Sequence, residues 1–564
     1  PGLPRVGDPG QAIRAARERG EARVAPLGPA PDVRFTSQSP PANAEEIRLV
    51  LTGLDVAGST VYAPEALRPI WADRLGVEIT LAELFTIAAE VQARYREDGY
   101  LFTRVVVPAQ RIEDGRARLE AIEAVIGTVS IEAPADPIGP VRALAERLVA
   151  PLRGLRNPLI EDVERVLLLL DDLPGVTRAA AVPKLGEGGR GTVDLFINVE
   201  RDPFGVTGFA DNRQSPILGD GLAGLVGAFN TWSPAGDTTT LSAFNSVGFG
   251  DWGAESFRER HTLQLEHQRH VGGSGAVVSG RALWSESRPG GTVRDFDISG
   301  AQGELEARLA WPAIRTRALS LGLSASVLAV EIDSTTPAAP VGEIAVEGGL
   351  RPVQDLIVDE SLRVLVLGAD AVQRDATGVT EATLELRRGM PILDATRRGD
   401  PERSREDGSG VFWSVRGEIE RSQSLAWGIS LWGKAWGQYT GTPLLSSEEF
   451  AIGGAELGRA FHPSEASGDI GAGGAVELRY ADTASWEALR VPVEVYLFAD
   501  GAEVRNLEGG SPAHEAIVSA GFGLRAQLFG ATALNLEAAR PVNQALGYDR
   551  SDAWRLLFSA TREF

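Results

Sequence analysis

The sequence predicts a transmembrane antiparallel β-barrel of about sixteen strands, set behind two small α/β domains and an N-terminal helix. Three observations lead there. Residues 203–564 read as short segments in which apolar and polar residues alternate between turns rich in Gly, Asp and Ser; alternation is how a strand with one greasy and one polar face is written. No apolar run reaches the roughly eighteen residues of a membrane helix, a condition that leaves a membrane β-barrel open. The segment 554–564 sets Trp554, Leu556, Phe558, Ala560 and Phe564 on one side and Arg555, Ser559, Thr561 and Glu563 on the other, with Leu557 the apolar exception. An outer-membrane barrel is expected to close on such a strand, finishing on an aromatic residue. An edge strand of a soluble sheet is the alternative for that segment, and a sandwich or propeller for the region.

Composition narrows the function. With 564 residues the chain has room for two to four domains. Cys is absent, so disulfides, zinc fingers and thiol catalysis are excluded. A net charge of -22 argues against a general nucleic-acid binder. Pro1 opens a polar stretch without a signal peptide, and for an exported protein this numbering is expected to begin at the mature end.

Taken in order, residues 1–28 hold a polar, Ala- and Arg-rich stretch (8–27) that predicts a helix of strong formers without a clean apolar stripe. Such a helix stays in water or sits in a polar cavity. A Pro-rich linker spans 29–43. Residues 44–124 then read strand (47–53), helix (81–100, ending at Gly99), strand (101–108) and strand (115–124). The order returns over 125–202: a strand at 128–133, helices at 141–152 and 160–173, strands at 176–184 and 191–200. This is a tandem duplication of pattern with a period of about eighty residues.

The barrel region is 203–564. Its clearest segment is 426–440, where Trp427, Ile429, Leu431, Ala435 and Tyr439 share one face. At about 3.3 Å per residue, Trp427 and Tyr439 are expected near the two interfaces of a thin bilayer, where aromatic girdles belong. The opposite face carries Gly428, Ser430, Lys434 and Gln438, with Trp432 and Trp436. In 491–500, Val491, Val493, Val495, Leu497 and Ala499 oppose Glu494, Tyr496, Phe498 and Asp500; if the apolar face meets lipid, Asp500 points into the lumen, where an ion at membrane depth is functional by default.

Catalytic and cofactor signatures are missing. GDGLAG (219–224) and GFGDWG (248–253) match the dinucleotide fingerprint, but neither opens a helix after a buried strand, and both read as turns and Gly-rich strands. His267 and His270, three apart on a strand, face opposite ways. No nucleophile elbow is present. No catalytic residue, metal or cofactor is therefore expected.

The α/β pair resembles tandem POTRA domains, and EDGYLFTRVVVPAQRIEDGRARLEAIEA (97–124) is similar to the first POTRA domain of two-partner secretion transporters, the TpsB family. In that family a plug helix, two POTRA domains and a sixteen-strand barrel follow in the order found here. DNR (211–213) resembles the family's Asp-Asn at the first barrel strand. AIGGAELGRAF (451–461) resembles the conserved loop that folds into the lumen, expected here over 441–474, whose tip reads Val-Arg-Gly-Tyr/Phe. Gly458, Arg459, Ala460 and Phe461 occupy those places, with the Arg and the aromatic matching and the Val and Gly departing. YLFADGAEV (496–504) resembles the family's Phe-x-Asp motif, at Phe498 and Asp500. The resemblance implies that Arg459 and Asp500 form a salt bridge docking the loop on the wall.

It further implies a bacterial outer-membrane protein with periplasmic POTRA domains that passes an unfolded exoprotein to the cell surface without nucleotide hydrolysis. Expected partners are that client, outer-membrane lipid and the barrel assembly machinery, which would read Trp554, Leu556, Phe558 and Phe564; a monomer and no nucleic acid are expected. The alternatives are an assembly factor resembling BamA or TamA, and a passive porin.

Overall fold

The structure, a computed structural model, describes residues 37–132, 139–230, 236–248, 259–290, 297–336, 343–346, 349–352, 356–486, 489–507, 513–529, 531–543 and 554–564, with Ser233 and Arg294. The helix expected over 8–27, the first part of the linker and most of GFGDWG lie outside these residues.

Two small sheets with helices on one face form the N-terminal part. The first unit holds β1 (Arg48–Val50), β2 (Gly53–Ala57), the single turn α1 (Pro64–Leu67), β3 (Glu78–Thr80), α2 (Leu81–Glu97), β4 (Arg104–Val106) and β5 (Arg116–Ile122). The sheet runs β2-β5-β4, with β2 parallel and β4 antiparallel to β5. The single strand expected over 47–53 is divided. β1 pairs with β3 in a separate ribbon, and the sheet strand starts only at Gly53. Between them Leu51 N–H donates to Val77 O and Thr52 N–H to Gly115 O, so the chain crosses from one sheet to the other there. A capping box starts α2: Glu83 N–H donates to Thr80 Oγ1 and Thr80 N–H to the Glu83 carboxylate. Leu84, Ile87, Val91 and Tyr95 then fall on one buried face.

The second unit holds β6 (Val125–Glu132), α3 (Arg142–Val149), α4 (Ile160–Asp171), β7 (Val176–Leu185) and β8 (Thr192–Arg201), with sheet order β6-β8-β7. Both edge strands formed by the hairpins are partly sealed. On β4 Val105 N–H donates to Gln92 Oε1 (3.0 Å), and just past its end Val107 N–H donates to Gln38 Oε1 (2.8 Å). On β7, Ala179 N–H donates to Asp171 and Pro183 has no N–H to offer.

Glu123 joins the two units. Its carboxylate accepts from Thr60 N–H (2.7 Å), Val61 N–H (2.9 Å), the Thr60 hydroxyl and the Asn157 carboxamide (3.0 Å). Asn157 N–H donates to Ala124 O, and Ile160 N–H to Gly99 O of the first unit. Burial alone would push the Glu123 carboxyl up, but these hydrogen bonds outweigh it and hold it below the usual range. The depressed value stabilises the joint above the unfolded pKa of about 4.3, and that stabilisation is lost as pH falls through the folded value. Glu123→Ala is expected to weaken the joint by about 2–3 kcal/mol. Hydrogen exchange on the full chain should show faster exchange at Asn157 and Ile160 with barrel amides unchanged.

The remaining chain closes into a barrel. In order come β9 (Phe204–Asp211), β10 (Gly221–Asn230), β11 (Asp237–Val247), β12 (Arg260–Val271), β13 (Ala276–Ser287), β14 (Ser299–Arg315) and β15 (Leu319–Thr336). A loop hairpin, β16 (Glu343–Val346) and β17 (Gly349–Pro352), precedes β18 (Leu356–Arg374), β19 (Gly378–Gly389), β20 (Trp413–Ser424) and β21 (Ile429–Thr440). A second loop hairpin, β22 (Phe450–Ile452) with β23 (Ala466–Gly468), is followed by β24 (Ile470–Trp486), β25 (Leu489–Arg505), β26 (His514–Leu528), β27 (Thr532–Pro541) and β28 (Arg555–Glu563). Sixteen of these strands pair antiparallel around a closed ring, with β28 returning to β9. GDGLAG is a turn with Gly219 at φ +87° that leads into β10.

Alternation sorts the side chains. Leu241, Leu305, Leu367, Ile419, Leu478 and Leu497 stand exposed on the outer wall, while Gln264, Glu304, Arg387, Gln438, Glu477 and Glu537 are buried inside. Tyr439 lies outward on β21, but Trp427 sits in the turn before that strand at φ +56°, because β21 begins only at Ile429. The second α/β unit rests on the near rim: Arg315 Nε reaches Asp172 (2.9 Å), Arg317 meets Glu164 (3.1 Å) and Arg165 donates to Pro312 O (3.2 Å).

Candidate functional site

The chain between β21 and β24 folds into the barrel. Expected over 441–474, it gives Ile470–Gly474 to β24, where Gly471–Gly474 pair with β21, and so runs over 441–469. β22 and β23 form its stem. Its tip is a turn in which Phe461 N–H donates to Gly458 O (2.7 Å).

Each tip residue has a distinct place. Gly458 sits at φ +81°, and a Cβ there would lie 2.2 Å from Ile517 Cδ1. The departure from Val thus has a physical reason: this turn needs the left-handed region and no side chain. Gly458 N–H donates to Asp500 Oδ1 (2.5 Å) and Arg459 N–H to the same oxygen (3.3 Å), which also accepts from the Ser519 hydroxyl (2.6 Å). Ala460 is buried, and its methyl is accommodated because the position does not require positive φ. Phe461 is buried against a lumenal apolar patch that includes Tyr496, Phe498, Ile517, Ala539 and Leu557. Leu557, the apolar exception on β28, is therefore a lumenal contact of the loop.

The Arg459 side chain is the charge centre. Its guanidinium lies 2.7 Å from Glu477, 3.2 Å from Glu537 and 3.6 Å from Asp500, and it stacks 4.4 Å from the Phe498 ring centroid. Arg459 and Asp500 do meet, but the shorter contacts go to Glu477 and Glu537, and Asp500 holds mainly the loop backbone. Glu477 is shared with Arg479 (2.7 Å) and Arg525 (3.0 Å), Arg525 also reaches Glu494 (2.6 Å), and Glu537 is shared with Arg213 (3.2 Å). Tyr496 Oη lies 2.8 Å from Glu537. Four guanidinium groups thus face four carboxylates, with Arg479, Arg525 and Glu494 half-buried and the others buried, and pairing is what makes burying these charges tolerable.

Sequence reading missed Glu477 and Glu537. Both occupy lumen-facing places in alternating segments, so strand parity was the available signal. What parity lacks is the register that sets Glu477 beside Phe498 and Glu537 beside Leu557 across neighbouring strands.

A second buried hub fastens the loop base at the far rim. Asp469 is fully buried; it accepts Leu444 N–H (2.7 Å) and Leu507 N–H (2.7 Å), and both oxygens lie 2.8 Å from Arg405. Arg405 belongs to the loop between β19 and β20 and also meets Glu449 (3.0 Å). Arg387 holds Glu448 (2.9 Å). Beneath this hub, Leu328, Val330, Leu362 and Val364 turn apolar side chains inward under Phe412, Leu444 and Leu445. Along its flank the loop is tied by Lys434, which lies 2.7 Å from Glu456.

The last strand, β28, closes the ring. Leu556 and Phe564 are largely exposed on its outer side, Trp554 packs at a tilt against Phe522 (5.7 Å between centroids), and Phe558 N–H donates to Asn212.

Residues 49–124 match the family model described as POTRA domain, ShlB-type, and residues 357–526 match haemolysin secretion/activation protein ShlB/FhaC/HecB. The heme/hemopexin transporter protein HuxB of Haemophilus influenzae strain 86-028NP is 21% identical over 283 residues, covering 48% of this chain and 46% of HuxB. HuxB of strain KW20 is 22% identical over 264 residues, 45% of this chain and 42% of HuxB. The chain spans about half the length of these curated relatives. Among solved structures, CdiB from Escherichia coli superposes with a TM-score of 0.71 at 16% identity, covering 98% of this chain and 97% of CdiB. BamA from Haemophilus ducreyi lacking POTRA domains 1–3 gives 0.52 at 12% identity, covering 92% and 100%; at these identities the likeness is one of fold. The barrel sits in the bacterial outer membrane with the N-terminal units in the periplasm, which makes the near rim periplasmic and the far rim extracellular.

Proposed function

We propose that this chain, which belongs to the two-partner secretion transporters by its ShlB-type POTRA segment, its ShlB/FhaC/HecB segment and its sixteen-strand barrel, conducts an extended partner exoprotein through its lumen to the cell surface. The observation that carries the reading is a polar lumen occupied by a loop held through ion pairs and hydrogen bonds rather than by strand pairing with the wall. Such contacts exchange for others without breaking the barrel. Arg459, Asp500, Gly458, Ala460, Phe461 and Phe498 seat the loop, and the seated loop shapes the path that the client follows.

A client segment adds to a POTRA sheet edge through main-chain hydrogen bonds. Gln38, Gln92 and Asp171 already occupy three donors along those edges, so an incoming strand exchanges with side chains rather than with water alone. Folding of the client outside supplies the driving force, with no catalytic or nucleotide chemistry. The outer belt meets outer-membrane lipid, the barrel assembly machinery reads Trp554, Leu556, Phe558 and Phe564, and the chain acts as a monomer.

Deleting the gene is expected to remove one protein from the culture supernatant while other outer-membrane barrels keep their levels. Loss of those barrels with an intact set of secreted proteins would overturn the reading in favour of an assembly factor.

A further inference from the structure

The ring closes over a short ladder. Five residue pairs join β28 to β9, from Ser559↔Asp211 to Glu563↔Thr207, whereas the ladders on either side hold eight each. β9 ends at Asp211, yet β28 continues four residues toward the extracellular rim. Asn212 fills the gap. Its N–H donates to Phe558 O (3.3 Å), its Oδ1 accepts Phe558 N–H (2.7 Å) and its Nδ2 donates to Leu556 O (3.0 Å). The carboxamide stands in for the next peptide group of a strand that has stopped.

The next residues tie this seam to the loop tip. Arg213 meets Glu537 Oε1 (3.2 Å), while Arg459 of the loop meets Glu537 Oε2 (3.2 Å). Arg555 donates to Gln214 O (3.2 Å) on the seam side and to Phe461 O on the loop. Two side chains, one on each of the last two strands, therefore hold the seam with one atom and the loop with another.

We propose that Asn212 is a positioning residue that latches the seam at its extracellular end, and that Glu537 and Arg555 couple the latched seam to the docked tip, so that each stabilises the other. Coupling between two states is reciprocal: the closed seam favours the docked tip by the same factor as the docked tip favours the closed seam. It serves export only on the reading of the barrel as the client's path.

The chain has no Cys, so thiols can be introduced singly. Ala210 and Ala560 face each other across the seam; Ala210→Cys with Ala560→Cys reports seam closure by disulfide yield. Ala460→Cys, in a separate protein, reports loop release by maleimide labelling of the buried tip. In the full chain in membranes, Asn212→Ala is expected to slow seam cross-linking and to raise tip labelling: losing two hydrogen bonds lowers the closed-to-open ratio of the seam by about tenfold, and tip labelling rises by up to that factor. Asn212→Asp keeps the acceptor for Phe558 and should give a smaller change in both, and heat-modifiable migration identifies folded barrel in each variant. Arg459→Ala should slow seam cross-linking in turn. Unchanged cross-linking in both Asn212 variants would overturn the latch, and a seam change without a tip change would overturn the coupling. Neither readout needs a client, so these results stand or fall separately from export.

Discussion

Arg459→Ala is expected to abolish export of the client while barrel yield and heat-modifiable migration stay normal. The substitution removes the one loop cation that Glu477, Glu537 and Asp500 share. Breaking a buried pair by deleting one partner costs about 3–5 kcal/mol, which lowers the docked-to-undocked ratio by roughly a hundredfold to a few thousandfold. The loss falls on the loop and on the β9–β28 seam coupled to it, and spares the other strand pairings of the wall. Asp500 separates two contributions. Asp500→Asn retains an oxygen for Gly458 N–H, Arg459 N–H and the Ser519 hydroxyl, and should reduce export mildly; Asp500→Ala leaves those donors unmatched and should reduce it strongly. Secreted client per unit of folded barrel is the measurement. Equal export in Arg459→Ala and the parent would remove the loop's docking from the mechanism.

Asp469→Ala should open the extracellular mouth. This carboxylate satisfies two backbone N–H groups from different loops and anchors Arg405. Each donor left buried without a partner costs about 1–3 kcal/mol, and the stranded guanidinium adds to that. The expected result is a severalfold rise in single-channel conductance and protease cleavage within residues 390–412 and 441–469, at unchanged barrel content. Glu449→Gln, which leaves Asp469 in place, should have the smaller effect. Unaltered conductance and cleavage would place the seal elsewhere.

Much of this was legible from residues alone. Strand parity is a local property, so the inward aim of Tyr496, Phe498 and Asp500 and the outward aim of Val495 and Leu497 follow from alternation. The α/β units were readable because α2 and α4 carry helical apolar spacing between strands. Partnership was not legible. Glu477 comes to Arg459 through the register of β24 on β25 and the path of a loop that leaves the wall and returns. The Arg405–Asp469 hub joins residues 64 apart from two loops, where no periodic pattern exists to read. The split of 47–53 into β1 and β2 also escaped alternation, because both halves are extended and only their pairing differs. In 327–332 the pattern was present but ambiguous: apolar residues of both parities mark a stretch covered on two sides, and the inner cover is Phe412, Leu444 and Leu445.

The periplasmic arms meet their neighbours through two chemically unlike joints. Between the POTRA units most of the bonds come from neutral donors gathered around one carboxylate, Glu123, with one exposed ion pair, Arg190–Glu120, beside them. Against the barrel they run through Arg315–Asp172 and Arg317–Glu164, pairs that water and mobile ions reach. Dissolved electrolyte attenuates the latter far more than the former. The angle at which the pair hangs below its pore thereby responds to the ionic strength of the compartment it hangs in, more than the joint within the arm does.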